Sequence, residues 1–422
     1  MGCFRAWLKK HSGLYCILKL IRQFKNYDFR DYLLSYYIGM QWREFVLPAV
    51  ADPNAMHLSI YQRGKLNPDK VIYQIPLDTA GFGFCSQMLV ILNRINFAVE
   101  LGMTPCVNWY ASSLYKEKEP IRGTTNIFEY YFEPIEGISV EKAEKSRFVV
   151  YDDLARGYGT GWVYLPLTGK AYSYTEDDLS RFAYLMKNYI CLQKSVKKKL
   201  YKQINSLLKG KKVLGVHGRG GDMKLSFQGH PLCVSGLEYA VAAERAMKEI
   251  DAELVFLATD DLEILDTFKT RFQNKLVYFQ DVVRSPGRIH NAMIQVDRSQ
   301  HHYKLGFEIL RDVYTLAHCQ GLITGLSTVN GMARVVKKSM DAEYEYQEII
   351  DRGTHQKGIN VNDPNFLKND APIVQKIFEI QQREDISKEE QLQLIEGIMD
   401  RVYGEEEMPA YEGTSDEQTI RI

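Results

Sequence analysis

The chain has 422 residues, which is too long for one ordinary hydrophobic core and predicts two or three domains. Lysine plus arginine and aspartate plus glutamate both number 53, and this balance gives no reason to expect general nucleic-acid binding. The seven cysteines are scattered and form no CxxC pair, which is typical of free thiols in a reducing compartment. The sequence contains no apolar run of about 18 residues, so a cytoplasmic protein is expected.

Charge is distributed unevenly along the chain. Residues 1–30 hold seven basic side chains against Asp28 alone, whereas residues 384–422 hold twelve acids against three bases. Apolar positions at helical spacing predict a helix within residues 5–45. Two interpretations of this helix stay open: it packs on the body of the protein through its apolar stripe, or its basic face makes peripheral contact with the inner surface of a membrane.

The first predicted sheet domain covers residues 61–208 and follows an N-terminal helical extension over 1–60. Its strand "VIYQI" leads through the loop "PLDTAGFGF" into the helix "CSQMLVILNRINFAVELG", and "TPCVNWY" follows as the next strand. This is the order of a βαβ unit, and "SRFVVYDDL" adds a further strand. The loop contains Gly81 and Gly83, but Ser86 stands where a dinucleotide-binding fingerprint has its third glycine.

A second run of alternating strands and helices covers residues 209–345, after a predicted surface loop over 157–175 and helices over 176–208. The strands "VLGVHG", "ELVFLAT", "KLVYF" and "GLIT" alternate with the helices "SGLEYAVAAERAMKEI", "DDLEILDTFKTRF", "KLGFEILRDVYTLAHC" and "GMARVVKK". The alternation predicts a second doubly wound parallel sheet, and hence an α/β protein with two Rossmann-like domains. Helices and a disordered acidic tail are predicted over 346–422.

Three polar loops follow strands of the second domain: "GRGGD", "TDD" and "GLSTVN". Because ligands of open α/β sheets bind at the carboxyl ends of the strands, these loops are expected to converge on one ligand. Arg219 is a planar, always charged donor suited to a diphosphate, and the glycines around it let the backbone approach closely. Its alternative role is that of a surface arginine in a turn. His217 is either a satisfied structural histidine or a ligand group.

The other two loops combine helix capping with candidate ligand contacts. One of Asp260 and Asp261 is expected to cap the following helix, and the other is open to contact with a ribose or a base. Ser327, Thr328 and Asn330 precede a helix N-terminus, whose N–H groups form a natural phosphate site. Capping explains one hydroxyl, so three polar residues at this position predict contact with phosphate.

Several other kinds of active site are excluded by missing motifs. The sequence has no GxxxxGK[ST] phosphate loop, no GxSxG elbow and no HExxH zinc motif. None of its nine histidines has metal-ligand spacing, and the adjacent pair His301 and His302 is interpreted as loop chemistry. No metal site and no bound cofactor are therefore predicted.

Together the loops resemble the α1,6-/protein O-fucosyltransferase superfamily, whose members are inverting enzymes of GT-B fold that use GDP-fucose. "GVHGRGGD" is similar to the family's HxRxxD donor loop, "ATDD" to its aspartate segment, and "LITGLSTVNGMARV" to its serine-rich loop and helix. "GFGFCSQMLVILNRINF" is similar to the family's first glycine loop and helix, which makes Gly81, Gly83 and Gln87 candidate site residues. The resemblance implies two Rossmann-like domains that face a central cleft.

By matched position, the resemblance implies a role for each loop. Arg219 would bind the β-phosphate and assist the departure of GDP, while His217 and Asp222 would shape that site. An aspartate of the second loop would contact the guanosine, and the hydroxyls of the third would hold the pyrophosphate. The donor-binding candidates are His217, Gly218, Arg219, Asp260, Asp261, Ser327, Thr328 and Asn330.

The sequence departs from the family pattern at three points. Gly220 replaces the second arginine of the common HxRR motif, and the arginine expected soon after the serine pair is displaced to Arg334. No acid lies between Asp222 and the following helix to match the family's acceptor-activating carboxylate. The base candidates are therefore His230 and Asp222, which stand with Arg219 as the catalytic candidates.

The sequence thus predicts metal-independent transfer of fucose from GDP-fucose to a glycan or a lipid-linked oligosaccharide, as in polysaccharide biosynthesis. A fixed arginine and helix N-termini would replace the divalent cation that other glycosyltransferases use. Two alternatives stay open: the same fold with another nucleotide-sugar donor, and a non-catalytic protein that binds a sugar or a nucleotide. No nucleic-acid partner is expected.

Overall fold

A computed structural model describes most of the chain between residues 58 and 357. The described residues are 58–61, 63–79, 83–100, 102–112, 114–152, 172, 174–225, 227–287, 294 and 296–357, with single positions between 376 and 398 and the segment 419–421. The helix predicted within 5–45 and most of the loop predicted over 157–175 lie outside the described residues.

Ten strands of the described residues form two sheets. The strands are Leu58–Tyr61 (β1), Leu66–Thr79 (β2), Thr104–Ser112 (β3), Ser146–Asp152 (β4), Val213–Gly218 (β5), Leu254–Thr259 (β6), Leu276–Val277 (β7), Gly321–Gly325 (β8), Tyr346–Ile350 (β9) and Thr419–Arg421 (β10). The first sheet has the order β1-β4-β2-β3, and the second has the order β10-β9-β8-β5-β6-β7.

Eight α-helices lie between β1 and β9 in the described part of the chain. The helices are Phe84–Glu100 (α1), Val140–Ala143 (α2), Glu176–Tyr189 (α3), Lys194–Leu208 (α4), Gly236–Glu249 (α5), Leu262–Phe272 (α6), His301–His318 (α7) and Thr328–Ser339 (α8). Capping boxes at Thr175 and Ser235 fix the starts of α3 and α5, because each hydroxyl accepts an N–H from the first turn while an acid of that turn binds back.

Two compact units divide the chain. The first unit takes Met1–Pro76, Asn93–Asn108 and Ile135–Pro166, and the second takes Leu77–Leu92, Trp109–Pro134 and Leu167–Ile422. This division does not test the domain boundaries that the sequence analysis places after residues 60, 208 and 345, which remain predictions.

The first sheet joins a parallel pair of strands to an antiparallel edge. β2 and β4 run parallel, with Tyr73 opposite Val150, and β1 runs antiparallel to β4. Ile72 of β2 packs in a small apolar cluster with Cys106 and Ile138. Since α1 lies between β2 and β3 in the chain and the two strands are neighbours in the sheet, the sequence correctly predicts these elements.

The second sheet is parallel except at one edge. β9, β8, β5, β6 and β7 run parallel, and β10 pairs antiparallel with β9. Leu214 and Val216 of β5 pack in the core that α5 and α6 cover, while a Cβ at Gly215 would lie 3.1 Å from Leu316 of α7. Helices therefore cover both faces of this sheet, and the predicted α/β class with two Rossmann-like sheets is confirmed.

One strand of this sheet, β9, is missed by the sequence analysis because it contains polar residues. β9 has the sequence "YQEII", in which Glu348 is buried. Its two carboxylate oxygens lie 2.6 and 2.7 Å from Nη2 of Arg245, so the charge is paired. β10 falls within the tail that is predicted to be disordered and pairs with β9. The strand predicted at "KLVYF" is confined to the two residues of β7.

Candidate functional site

The three polar loops start from neighbouring strands of the second sheet. β5 lies between β8 and β6, and His217 stands opposite Thr324 on one side and Ala258 on the other. Gly218, the last residue of β5, stands opposite Thr259, the last residue of β6. Because all three strands run in the same direction, the loops begin at one edge of the sheet, as the sequence predicts.

Two carboxylates from the β6 loop hold the glycine loop. The N–H of Gly220 donates to Asp260 Oδ1 at 3.0 Å, and the N–H of Gly221 donates to Asp261 Oδ2 at 3.1 Å. Asp260 also forms an ion pair with Arg219, whose side chain is 27% exposed. The backbone then turns into a short 3₁₀ helix over Gly221–Leu225. Arg219 is therefore held in a fixed position at the strand end, still partly open to solvent.

Asp261 is the carboxylate that caps α6. Its Oδ1 accepts from the N–H groups of Glu263 at 2.9 Å and Ile264 at 3.2 Å. Its Oδ2 also lies 2.8 Å from Nζ of Lys224, and the residue has no exposed surface. With Gly221, four donors surround this one carboxylate. Asp260 is thus the member of the pair whose exposure suits contact with a ligand.

Gly220 has no room for a side chain, which explains one departure from the family pattern. A Cβ at this position would lie 2.7 Å from Cβ of Asp261. Asp261 cannot move away without giving up the cap of α6. An arginine at position 220 is therefore incompatible with the local packing of this chain.

Substitution of Gly220 by alanine should consequently destabilise the protein by about 1–3 kcal/mol, the range for overpacking a filled site. Urea unfolding of the intact chain measures the change in free energy. Gly397→Ala is the matched control, because a Cβ at Gly397 meets nothing within 4 Å. Equal unfolding midpoints for the two variants would show that the glycine loop accommodates a side chain at position 220, which would contradict this prediction.

His217 lies between two hydroxyls and is uncharged. Its Nδ1 is 3.3 Å from Oγ of Ser327 and 3.4 Å from Oγ1 of Thr324. Burial lowers the pKa of His217 to about 3, and the neighbouring Arg219 charge acts in the same direction. The imidazole is therefore neutral at physiological pH and acts through hydrogen bonds, while Arg219 supplies the positive charge of this strand end.

The third loop is shorter than the sequence predicts, because α8 begins at Thr328 instead of residue 331. Ser327 is its N-cap and accepts the N–H of Asn330 at 3.0 Å. Thr328 and Asn330 thus belong to the first helical turn, where backbone N–H groups point out of the helix end. Asn330 is fully buried, and within the described part of the chain neither Nδ2 nor Oδ1 of its amide has a hydrogen-bond partner.

The arginine displaced in the sequence pattern lies elsewhere on α8. Arg334 is buried, and its Nη2 is 3.7 Å from Oε1 of Glu176 at the start of α3. Burial lowers its pKa. A Cβ at Gly331, one turn earlier, would lie 2.6 Å from the ring of Tyr174, so aromatic packing covers this side of the helix. The guanidinium of Arg334 thus forms its ion pair with Glu176 of α3.

His230 belongs to a segment that pairs with residues 353–355. The N–H of Gly229 donates to the carbonyl of His355 at 2.9 Å, and the N–H of His355 donates to the carbonyl of His230 at 2.9 Å. The His230 ring packs against Phe227, with ring centroids 5.4 Å apart. Asp222 lies in the 3₁₀ helix after the glycine loop, and its side chain is outside the described part.

Tyr172 packs against His230 and is missed by the sequence analysis. Its ring centroid lies 6.5 Å from that of His230 in an edge-on arrangement. Burial raises the pKa of Tyr172, and the charge of Arg219 opposes the rise. Its φ of 69° is in a region that bulky residues rarely adopt. The signal in the sequence was the tyrosine-rich stretch that we interpret as a surface loop.

The first glycine loop is described only in part. Gly81 lies outside the described residues, Gly83 immediately precedes α1, and Gln87 is buried in the first turn of that helix. The N–H of Gln87 donates to the carbonyl of Gly83 at 3.2 Å. These contacts start the helix, and a role of the three residues at a ligand site stays a prediction.

The described residues contain no group of three or more His, Cys, Asp and Glu side chains that could hold a metal ion. Their five cysteines, which are Cys85, Cys106, Cys191, Cys233 and Cys319, are free thiols. A helix long and apolar enough to cross a membrane is likewise not found in this part of the chain.

Comparison with known proteins gives matches among solved structures. No protein-family model matches the chain, and no curated protein is significantly similar to it. NodZ alpha-1,6-fucosyltransferase co-crystallized with GDP has 16% identity over 67% of this chain and 95% of that chain, with a TM-score of 0.39. Fucosyltransferase NodZ from Bradyrhizobium has 16% identity over 67% and 96%, also with a TM-score of 0.39.

POFUT1 is a second protein among the matches, with slightly lower identity and TM-score. POFUT1 in complex with GDP has 13% identity over 66% of this chain and 96% of that chain, with a TM-score of 0.36. These solved structures are fucosyltransferases, the class that the loop sequences predict. Similarity of this size carries no functional argument, so the function has to come from the residues of the site.

Proposed function

We propose that the chain is an inverting glycosyltransferase that transfers fucose from GDP-fucose to a glycan or a lipid-linked oligosaccharide. The observation that carries the proposal is the meeting, at adjacent strand ends, of a held arginine with a capped helix N-terminus. Arg219 and the first turn of α8 both suit an anion with two phosphates. The motif resemblance of the three loops supports fucose as the sugar.

The Arg219–Asp260 ion pair is compatible with a diphosphate ligand. A guanidinium carries five N–H donors in one plane, so a contact with Asp260 can orient it towards a second anion. The carboxylate of Asp260 is also an acceptor suited to a ribose or a base. Asp261 has a different role in this proposal: it fixes the shape of the glycine loop through Gly221 and Lys224.

In the proposed reaction, an acceptor hydroxyl attacks the anomeric carbon of the donor sugar from the side opposite the diphosphate. A C–O bond to the acceptor forms, the bond between the sugar and the β-phosphate breaks, and the hydroxyl proton moves to a base. Arg219 and the N–H groups of α8 would stabilise the charge that accumulates on the leaving GDP. His230 and Asp222 are the candidate bases, and neutral His217 would position Ser327 at the phosphate.

One observation favours a second candidate, in which the same fold uses another GDP-, ADP- or UDP-sugar. Gly220 stands where the family has a second arginine, and its packing against Asp261 excludes that side chain. This chain would therefore bind the donor with one arginine fewer. A different nucleotide or sugar is a direct way in which the site could compensate for that loss.

The test is hydrolysis and transfer with a panel of nucleotide sugars. The proposal expects release of GDP from GDP-fucose, and little or no nucleotide release from GDP-mannose, UDP-galactose and ADP-glucose. Release from a different sugar nucleotide alone would replace the donor and keep the enzyme class. If no donor is turned over while GDP binds, the protein is a nucleotide-binding protein and the catalytic proposal is wrong.

Metal dependence gives a separate prediction. Since a fixed guanidinium and a helix N-terminus neutralise the leaving diphosphate in this mechanism, turnover of the active donor should be unchanged in excess EDTA. The measurement is the initial rate before and after chelation, with Mn²⁺ or Mg²⁺ added back to each sample. Loss of activity with EDTA and its return with Mn²⁺ would contradict the proposed role of Arg219.

A further inference from the structure

Helix α4 presents a face of exposed lysines that the proposed function does not use. Its sequence, "KSVKKKLYKQINSLL", contains no acidic residue. Lys194, Lys197, Lys198 and Lys202 are all exposed, and we call these four residues the lysine face. A zero net charge for the whole chain means that this concentration of positive charge does not follow from general basicity.

The apolar stripe of α4 fixes the orientation of the lysine face. Val196, Leu200, Ile204 and Leu208 recur with helical spacing and are all buried. Lys199 turns towards the protein, where its Nζ lies 4.2 Å from the ring centroid of Phe307. The helix cannot rotate to hide its lysines without exposing this stripe, so the lysine face stays directed to solvent.

Three lysines before and after the helix form ion pairs, whereas the members of the lysine face form none among the described residues. Lys187 pairs with Asp341, Lys211 with Glu253 and Lys212 with Glu345. The ion pairs among the described residues include no member of the lysine face. Four unneutralised positive charges on little more than two helical turns repel one another, and an anionic surface would relieve that repulsion.

The first residues of α4 are also unfavourable for the start of a helix. Lys194 occupies the first position of the helix, where the positive end of the helix dipole disfavours a cation. Gln193 precedes it and provides no side-chain cap, although Thr175 and Ser235 cap other helices of this chain. The Gln193 amide instead donates to the carbonyl of Phe132 at 3.1 Å, so the missing cap has a structural reason. The lysine at the first position is the unfavourable feature that binding to an anionic surface would explain.

We propose that the lysine face of α4 binds the anionic headgroups of a lipid bilayer. Lysines near such a surface gain attraction from its negative potential without specific pairing. Nucleic acid fits this face less well, because the face has no arginine for phosphate forks and no aromatic side chain for base stacking. Tyr201, the one aromatic residue of α4, packs against Tyr314 and His318 instead.

The test compares two variants of the intact chain with the same change in charge. The first changes Lys194, Lys197, Lys198 and Lys202 to glutamine. The control changes four exposed lysines on separate segments, none of them in an ion pair of the described part, which are Lys118, Lys248, Lys275 and Lys357. Both are cosedimented at low salt with vesicles of phosphatidylcholine, with and without phosphatidylserine. Circular dichroism and thermal melting confirm that each variant is folded.

The lysine-face variant should bind vesicles that contain phosphatidylserine at least about a hundredfold more weakly than the wild type, since each lysine near an anionic bilayer contributes roughly fivefold. The control should bind within a few-fold of the wild type. Residues 1–30 are present in both variants, so their basic side chains cannot explain a difference. A second set with arginine in place of the four lysines should keep the binding.

Three results would overturn this proposal. One is equal binding by the lysine-face variant and the control. Another is the same affinity of the wild type for vesicles with and without phosphatidylserine. The third is that the wild type binds neither kind of vesicle but binds a single-stranded RNA oligomer through the four lysines. Since the measurement is binding and not turnover, its outcome is independent of the proposed enzymatic function.

Discussion

Replacement of Arg219 by alanine or by lysine is expected to lower kcat by at least about a hundredfold. Lysine keeps the charge but loses the planar fork that can contact Asp260 and a diphosphate together. Loss of one contact to developing negative charge raises the activation barrier by roughly 2.7–4 kcal/mol. Donor affinity should fall less than kcat, because the contact strengthens as charge moves onto the leaving phosphate.

The control for this prediction is Arg271→Lys. Arg271 also makes a forked contact with a carboxylate, with Nε and Nη2 at 2.9 and 3.0 Å from Glu244, but it lies on the exposed side of α6. Its replacement should leave kcat unchanged. Circular dichroism and melting should show that both Arg219 variants are folded. Near-normal turnover by Arg219→Lys would make Arg219 a structural residue and remove the basis of the donor site.

The second large effect is expected on stability, from Asp261→Ala. This change removes the cap of α6 and the acceptor of the Gly221 N–H, and it leaves Lys224 paired with Glu263 alone. Loss of the cap costs about 0.5–2 kcal/mol, and a buried Gly221 N–H left without its acceptor costs about 1–3 kcal/mol more. Urea unfolding of the intact chain should therefore give a clearly lower midpoint and free energy of unfolding.

Asp260→Ala is the matched control, since Asp260 precedes Asp261 and its side chain is 14% exposed. It should lose much less stability than Asp261→Ala, while its kcat falls because Arg219 is no longer oriented. The two neighbouring aspartates would then separate, one affecting folding and the other affecting turnover. If Asp260→Ala proved the more destabilising, our division of roles between them would be wrong.

Local patterns in the sequence are sufficient for β5, β6 and β8 of the second sheet. The buried strand "VLGVHG" and the strands after it are short apolar runs, and the intervening helices have one apolar face, so hydrophobic period distinguishes them. Because parallel strands end at one edge, the meeting of His217 with Ser327 also follows from the predicted topology. The two residues are 110 positions apart in the chain, but the sheet order brings their loops together.

Contacts between side chains of distant segments could not be predicted in this way. Which aspartate caps α6 depends on Gly221 and Lys224, which lie in another loop. β9 was missed because Arg245 neutralises its buried glutamate, a pairing that no period reveals. Tyr172 packs against His230 although its surrounding sequence has the composition of a loop. Each case depends on a pairing in space and not on a periodic pattern.

The most direct test of the central claim is hydrogen–deuterium exchange of the intact chain with and without GDP. One nucleotide-diphosphate site at three strand ends predicts slower exchange in 217–225, 259–262 and 326–331 together. UDP and ADP should protect these segments less at equal concentration, and Arg219→Ala should weaken the protection by GDP. Protection of other segments, or of none, would contradict the claim that these loops form one donor site.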